Sequence, residues 1–209
     1  MRRVQATIRA CSDSASSLYP SQVPSTRILL ARHGETDWNR IGRWQGHADP
    51  PLNELGRRQA SELAEQLAGD RVAAVYSSDL ERASQTARVV GDRLGLPIVE
   101  DARLREIDVG SWSGLTRAEV EARFPEGFAR WRAGEIGHDG ETREELTERV
   151  VAAIERIAEA HAGETVLVVT HGGAIRALRR HAAGDPGDAI ENCGILALEL
   201  VNGVLAVRS

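Results

Sequence analysis

Short apolar runs alternate with stretches of helical periodicity along this chain, and this alternation constrains its fold more than any other feature. The runs are short and rich in branched apolar side chains, which is typical of buried strands: 27–31, 72–76, 98–100 and 165–170. Apolar residues at helical spacing predict four helices: 56–69, 79–94, 141–162 and 173–183. Two further strands, 195–201 and 204–207, flank Asn202-Gly203, a dipeptide typical of tight hairpin turns. The pattern predicts an α/β three-layer sandwich whose central sheet is mostly parallel and carries an antiparallel edge strand.

The bulk properties are those of one globular domain. A chain of 209 residues can bury a single substantial core. Residues 1–25 are rich in serine and lack periodicity, which predicts a flexible N-terminal extension before a domain over 26–209. A net charge of -5 gives no overall attraction to nucleic acid or to an anionic membrane, so we expect neither partner. Cys11 and Cys193 are too few for a disulfide framework, and we expect a cytoplasmic protein.

Basic and imidazole side chains follow the predicted strands at the points where they end. Arg32 and His33 come after the first strand, and His171 comes after the run 165–170. Arg82 lies in the first turn of the helix that follows the second strand. Parallel strands bind ligands beyond their carboxyl ends, so these four side chains are expected to meet in one pocket. Guanidinium groups pair with phosphate oxygens, which predicts a site for a phosphoryl group.

Imidazole chemistry then suggests what this pocket does. A neutral histidine is a competent nucleophile near neutral pH and takes a phosphoryl group without a metal, and His33 is the candidate. The leaving alkoxide needs a proton, for which Glu106 is the candidate donor. Other carboxylates stand close by in the sequence, so the choice of Glu106 stays open at this point: Glu100, Asp101 and Asp108.

Several segments, taken in chain order, resemble the signature segments of the histidine phosphatases, also called the phosphoglycerate mutase-like superfamily. They are Arg32-His33-Gly34 followed by Thr36 and Asn39, then Gln45-Gly46, Ser77-Ser78-Asp79-Leu80 leading to Arg82, Gly140-Glu141-Thr142, and Thr170-His171-Gly172-Gly173. A short string such as Arg-His-Gly arises by chance, but an ordered set that abuts strands and helices of the right kind does not. The resemblance extends from about residue 27 to the last strand.

This resemblance implies a phosphatase that hydrolyses a small phosphate monoester through a phosphohistidine, with no metal and no cofactor. It implies that His33 is phosphorylated, that Glu106 donates the proton, and that three side chains bind the phosphoryl group: Arg32, Arg82 and His171. It further implies a set of residues that bind the phosphate or its ester: Thr36, Asn39, Gln45, Gly46 and Gly172. The partner is then a small-molecule phosphate ester, and a homodimer is compatible with the sequence.

Three alternatives remain. A cofactor-dependent phosphoglycerate mutase uses the same phosphohistidine, but such mutases resemble Asn-Glu-Arg-His-Tyr-Gly around the acid, whereas residues 105–110 differ and the longer insertion after Gly114 is missing. We therefore predict water as the acceptor. A metal-dependent hydrolase with His33 and His171 as ligands is disfavoured because the adjacent arginines repel a divalent cation. A non-catalytic module that binds a phosphorylated ligand is the third.

The leaving group is the least constrained part of the prediction. Residues 115–140 are expected to form a lid that selects the leaving group. The sequence does not identify the physiological ester. The remaining histidines are expected on the surface or in packing, with His138 near the pocket mouth: His47, His138, His161 and His181. The tryptophans are expected either to wall the pocket or to pack in the core: Trp38, Trp44, Trp112 and Trp131.

Overall fold

A computed structural model describes residues 25–208 of the chain. The predicted N-terminal extension, 1–25, therefore lies outside the described residues except for Ser25. The strands are β1 (Thr26–Arg32), β2 (Val72–Ser77), β3 (Ile98–Glu100), β4 (Thr165–Thr170), β5 (Ile195–Val201) and β6 (Val204–Arg208). The helices are α1 (Asp37–Arg40), α2 (Glu54–Leu67), α3 (Glu81–Leu94), α4 (Arg117–Arg123), α5 (Pro125–Arg132), α6 (Arg143–Ala160) and α7 (Gly172–Ala183).

The strands form one mixed sheet in the order β3-β2-β4-β1-β5-β6. The first four strands of this order are parallel, β5 runs antiparallel to β1, and β6 returns antiparallel to β5. The predicted α/β class, with a mostly parallel sheet and an antiparallel edge, is confirmed. The edge is the hairpin β5-β6 rather than a single reversed strand.

The core lies on both faces of this sheet because successive side chains of a strand point to opposite sides. Leu30 and Val168 pack with α6 and α7 on one face. Leu29 and Val169 pack with α2 and α3 on the other face. The strands at the centre of the sheet are therefore apolar throughout, as expected when helices cover both faces.

Local capping sets where the helices begin. The Asn53 side chain accepts a hydrogen bond from the amide of Gly56, so α2 begins at Glu54 rather than at the predicted residue 56. Thr142 and Glu145 form a reciprocal capping box that starts α6 at Arg143. The predicted helices are all present, with ends shifted by at most two residues.

A small separate core covers the carboxyl edge of the sheet. Val109, Trp112, Val120 and Phe128 form its buried centre. The segment predicted as a lid supplies the last two residues and folds into α4 and α5, two short helices that periodicity did not predict. Among residues 25–208, no helix is long and apolar enough to cross a membrane.

Candidate active site

A cavity of about 450 Å³ opens at the carboxyl end of β1; we call it the main cavity. Its walls come from the strand ends, from the loop after α1, from the loop before β5 and from α7. Most of the residues proposed from sequence line it: Arg32, His33, Asn39, Gln45, Gly46, Arg82, Glu106 and Gly172. The carboxyl edge of the parallel strands therefore carries the site, as the strand-end pattern predicted.

Strand register brings the two histidines together. Arg32 on β1 pairs with Thr170 on β4, so the next residue of each strand, His33 and His171, stands at the same level of the sheet. Their ring centroids are 5.2 Å apart, with 58° between the ring planes. His33 lines the main cavity, while His171 is fully buried behind it.

Hydrogen bonding fixes which nitrogen of His33 is reactive. Nδ1 lies 2.7 Å from the carbonyl oxygen of Gly34. A carbonyl only accepts hydrogen bonds, so Nδ1 must carry the proton and Nε2 keeps its lone pair. Asn192 donates from its side-chain amide to the His33 carbonyl at 2.8 Å and holds the backbone at the same point. His33 thus presents an oriented imidazole nitrogen to the cavity.

Two guanidinium groups border the same space. Arg82, on the first turn of α3, is fully buried and donates to the carbonyls of Ala48 and Gly46 at 2.8 and 2.9 Å. Arg32 donates to the carbonyl of Ile190 at 2.8 Å. Each guanidinium is therefore held in place by backbone acceptors that do not neutralise its charge. Among residues 25–208, neither forms an ion pair, although the negative charge of Glu106 acts on both.

Three buried nitrogen atoms of this group have no protein partner: Arg32 Nε, Arg82 Nε and His171 Nδ1. The other ring nitrogen of His171 lies 2.8 Å from the hydroxyl oxygen of Ser78. A buried polar group left without a partner costs about 1–3 kcal/mol. Three such atoms around one histidine favour the binding of an anion at this site.

Burial and positive charge shift the proton equilibria of the site. Burial, followed by the charge of Arg82, lowers the pKa of His33 well below 6.5. The same two causes, with His33 as a smaller contributor, lower the pKa of His171 well below 6.5. Burial lowers the pKa of Arg82 to about 10, so this side chain stays charged at neutral pH. The site therefore combines neutral imidazoles with fixed cations, as a nucleophile and an anion cage require.

Glu106 is positioned by the start of α7. Its Oε2 accepts from the amide of Gly173 at 3.0 Å, and Oε1 accepts from the amide of Ile107 at 2.8 Å. A Cβ atom at position 173 would overlap Oε1, so any residue other than glycine would displace this carboxyl group. The competing carboxylates make other contacts: Asp101 pairs with Arg103, and Glu100 accepts from Ser84.

Several residues that support Glu106 were not predicted from sequence. His47 Nε2 lies 2.9 Å from the Glu106 carbonyl, and Arg149 donates to the same carbonyl at 3.2 Å. Arg149 also holds Glu141 through two hydrogen bonds, at 2.8 and 2.6 Å. These contacts join segments far apart in the chain, and the only available sign of them was the Gly140-Glu141-Thr142 turn.

Two of the residues proposed from sequence do not line the main cavity: His171, which lies behind it, and Thr36. Thr36 is fully buried, and its hydroxyl contacts the side-chain oxygens of Asn39 and Gln45 at 3.1 and 3.2 Å. It does not line the main cavity, whereas Asn39 and Gln45 do. Thr36 therefore supports the cavity wall through these two neighbours, because capping α1 takes its hydroxyl away from the cavity.

The tryptophans divide between wall and core. Trp44 and Trp131 line the main cavity, with ring centroids 5.2 Å apart in an edge-on arrangement. Trp112 is fully buried in the small core and packs against His138. Trp38 is half-buried and lies beneath Gly114. Among residues 25–208, no group of three or more His, Cys, Asp or Glu side chains could hold a metal ion.

The sequence from residue 28 to residue 208 matches the model of the histidine phosphatase superfamily, branch 1. The chain belongs to the histidine phosphatase superfamily. This histidine phosphatase is 43% identical over 159 residues to a metal-independent phosphoserine phosphatase of Arabidopsis thaliana, covering 73% of the chain and 67% of the relative. It is 39% identical over 166 residues to phosphoglycerate mutase-like protein 4 of the same plant, covering 77% and 72%.

Solved structures agree with this assignment. A mycobacterial glucosyl-3-phosphoglycerate phosphatase in complex with VO3 is 34% identical to this histidine phosphatase and superposes with a TM-score of 0.76. The match covers 87% of this chain and 96% of that one. The predicted superfamily and the predicted phosphoglycerate mutase-like fold are confirmed, and the chain is an enzyme of the histidine phosphatase type.

Proposed function

We propose that this enzyme hydrolyses a small phosphate monoester by transferring the phosphoryl group to Nε2 of His33 and then to water, without a metal. The observation that carries the proposal is the His33 imidazole. Its Nδ1 is held by the Gly34 carbonyl, and it lies beside two arginines that form no ion pair within residues 25–208. A neutral nucleophile among fixed cations suits attack on a dianionic ester.

In the first step, Nε2 of His33 forms a bond to phosphorus while the bond from phosphorus to the ester oxygen breaks. Arg32, Arg82 and His171 hold the phosphoryl oxygens and stabilise the charge that builds on them. Glu106, in its protonated form, gives its proton to the leaving oxygen, which departs as an alcohol. The proton on Nδ1 stays in place, and the Gly34 carbonyl stabilises the cationic phosphoimidazole ring.

In the second step, water attacks phosphorus and the bond from phosphorus to Nε2 breaks. Glu106, now ionised, takes the proton from the attacking water and is ready for the next cycle. Inorganic phosphate leaves and His33 returns to its neutral form. Both steps need the same carboxyl group close to the reacting oxygen. The hydrogen bond from the Gly173 amide, which holds Glu106 in the wall of the main cavity, supports this role.

The direct test is capture of the intermediate. Brief mixing with a 32P-labelled ester, followed by an alkaline quench, should give a labelled protein whose phosphate is stable in base and lost in acid. His33→Asn should give no label, while His181→Asn, at an exposed position on α7, should label as the wild type does. Full turnover without label, or label retained in His33→Asn, would contradict the proposal.

A phosphatase and a mutase differ in the molecule that accepts the phosphoryl group from His33. We propose water, because the segment 105–110 lacks the residues that mutases carry there. With 3-phosphoglycerate and catalytic 2,3-bisphosphoglycerate, free phosphate should appear faster than 2-phosphoglycerate. The reverse order would establish a mutase. Activity should also survive exhaustive chelation, whereas its loss with recovery on adding zinc would support the metal-dependent alternative.

The substrates named for two relatives indicate which esters to try first. Phosphoserine and glucosyl-3-phosphoglycerate are both phosphate esters with a carboxylate. Either would place its phosphoryl group beside His33 and its remaining part against the cavity wall formed by Trp44 and Trp131. A panel of metabolite esters, with His33→Asn as the blank, should rank them. The cytoplasmic location and the homodimer stay predictions.

A further inference from the structure

A second, smaller cavity of about 150 Å³ adjoins the main cavity. The two share part of their lining, namely Ile107, Trp131, Gly173 and Arg176. A ligand bound at His33 can therefore extend past Trp131 into the second space without leaving the protein surface. Arg176, on the exposed side of α7, borders both cavities.

Three arginines line this second cavity, and together they form what we call the arginine groove: Arg143, Arg176 and Arg180. Within residues 25–208, no carboxylate lies within ion-pairing distance of these guanidinium groups, and none of the three guanidinium groups donates a hydrogen bond. Other arginines near the site do have carboxylate partners, such as Arg105 with Asp79 and Arg149 with Glu141. The groove thus holds three positive charges that the described protein does not neutralise.

Two features of these positions favour a bound anion, although Arg180 also lies in the last turn of α7, where the helix dipole favours a positive charge. Arg176 and Arg180 stand one helical turn apart on α7, where like charges repel. Arg143 is the first residue of α6, the end at which the helix dipole favours negative charge. Glu144 and Glu148 border the outer side of the groove without pairing with it. An anion in the groove would satisfy all three arginines.

We propose that the arginine groove binds a second anionic group of the substrate, so that the preferred substrates are phosphate monoesters with a further carboxylate or phosphate. This inference rests on the proposed function, since the first phosphoryl group must lie at His33. The rise along α7 is about 6 Å from Gly172 to Arg176 and about 12 Å to Arg180. An anionic group a few bonds from the ester therefore meets Arg176 first.

The test compares matched esters that differ in one charge. 3-Phosphoglycerate and glycerol 3-phosphate share a skeleton, but the first has a carboxylate where the second has a hydroxymethyl group. Fructose 1,6-bisphosphate and fructose 6-phosphate differ by a phosphate, so this pair shows whether the second anion is a phosphate or a carboxylate. The wild-type enzyme should prefer the more anionic member of at least one pair, by about tenfold or more in kcat/KM.

Arg176→Gln should remove most of that preference, mainly by raising KM for the anionic ester, because the anion is held equally before and during the reaction. Arg143→Gln and Arg180→Gln should each reduce it less. In all three variants, kcat/KM should fall less for the less anionic member of each pair than for the more anionic member. Arg71→Gln, at an exposed position before β2 on the opposite edge of the sheet, should change neither ester.

An unchanged preference in all three variants would overturn the arginine groove as a binding site. A wild-type enzyme that hydrolyses the less anionic ester as well as the more anionic one in both pairs would do the same, and would leave the proposed phosphatase intact. If the wild type releases no more phosphate from any ester than His33→Asn does, the proposed function itself fails and this inference fails with it. Thermal unfolding of each variant confirms that the fold is unchanged.

Discussion

At the scale of single residues, the buried histidines make stability depend on pH. The pKa values of His33 and His171 lie well below 6.5 in the folded protein, while both should titrate near 6.5 when unfolded. As the pH falls below 6.5, the unfolded chain binds protons that the folded chain does not, so the free energy of unfolding decreases. The expected loss from each histidine is about 1.4 kcal/mol per pH unit until its folded pKa is reached.

Denaturant unfolding at pH 7.5, 6.5, 5.5 and 5.0 measures this loss. His33→Asn keeps a donor for the Gly34 carbonyl. Its free energy of unfolding should decrease less steeply than that of the wild type, by the contribution of one histidine, about 1.4 kcal/mol per pH unit. His181→Asn, at an exposed position, serves as the control and should follow the wild type. Equal slopes for all three proteins would contradict the assigned protonation state of His33.

Gly173 offers a second test at the residue scale, because a methyl group there overlaps the carboxyl group of Glu106. Gly173→Ala should displace the proposed acid and reduce kcat on an alkyl phosphate by about 100-fold, the lower end of what general acid catalysis contributes. The loss on p-nitrophenyl phosphate should be much smaller, since that leaving group departs without a proton. Gly69→Ala, where an added Cβ meets nothing within 4 Å, is the matched control. Equal losses on both esters would remove Glu106 from the acid role.

At the scale of elements, helix α6 holds the loop that carries the acid. Arg149 donates to the carbonyls of Arg103 and Arg105 at 2.9 and 3.0 Å, in addition to its bonds to Glu106 and Glu141. Arg149→Met should therefore lower kcat by about tenfold or more through misplacement of Glu106. Inhibition by inorganic phosphate should not change, because the arginines around His33 are untouched.

The control on the same helix is Arg156→Met, which removes a more exposed pair with Asp101 and should have little effect on kcat. If Arg149→Met weakens phosphate inhibition as strongly as it lowers kcat, the effect is a general collapse of the site rather than a displaced acid. Compared with Arg149→Met, Arg149→Lys restores the positive charge but not the planar set of N–H donors of a guanidinium. It should therefore recover only part of the lost kcat.

The elements also show which parts of the site could be predicted from sequence. Buried strands and amphipathic helices have strong local periods, and a side chain at the end of a parallel strand has only one edge to occupy; this is why His33 and His171 were placed correctly. The lid helices α4 and α5 are too short for a clear period. The contacts of Arg149 with 103–106 and of Asn192 with His33 join distant segments, and no local pattern encodes them.

At the scale of the whole molecule, the site is built from strands that are distant in sequence. β1 lies between β4 and β5, and Arg82 comes from the helix after β2, so an anion bound among Arg32, His33 and Arg82 contacts segments spread over the domain. A ligand that binds only the folded state adds about 2.7 kcal/mol to the free energy of unfolding at 100 times its dissociation constant. For a domain of this size, that corresponds to about 5–10 °C in Tm.

Inorganic phosphate should therefore raise the Tm of the wild type by several degrees, with the rise saturating as the site fills. Arg82→Gln should abolish the rise, because this buried guanidinium has an unpaired Nε available for the anion. Arg88→Gln, on the same helix but exposed and paired with Glu100, should keep it. Sulfate at equal ionic strength shows how much of the rise belongs to a general salt effect. A rise that survives in Arg82→Gln would place the anion elsewhere on the protein and leave the unpaired nitrogens around His33 without an explanation.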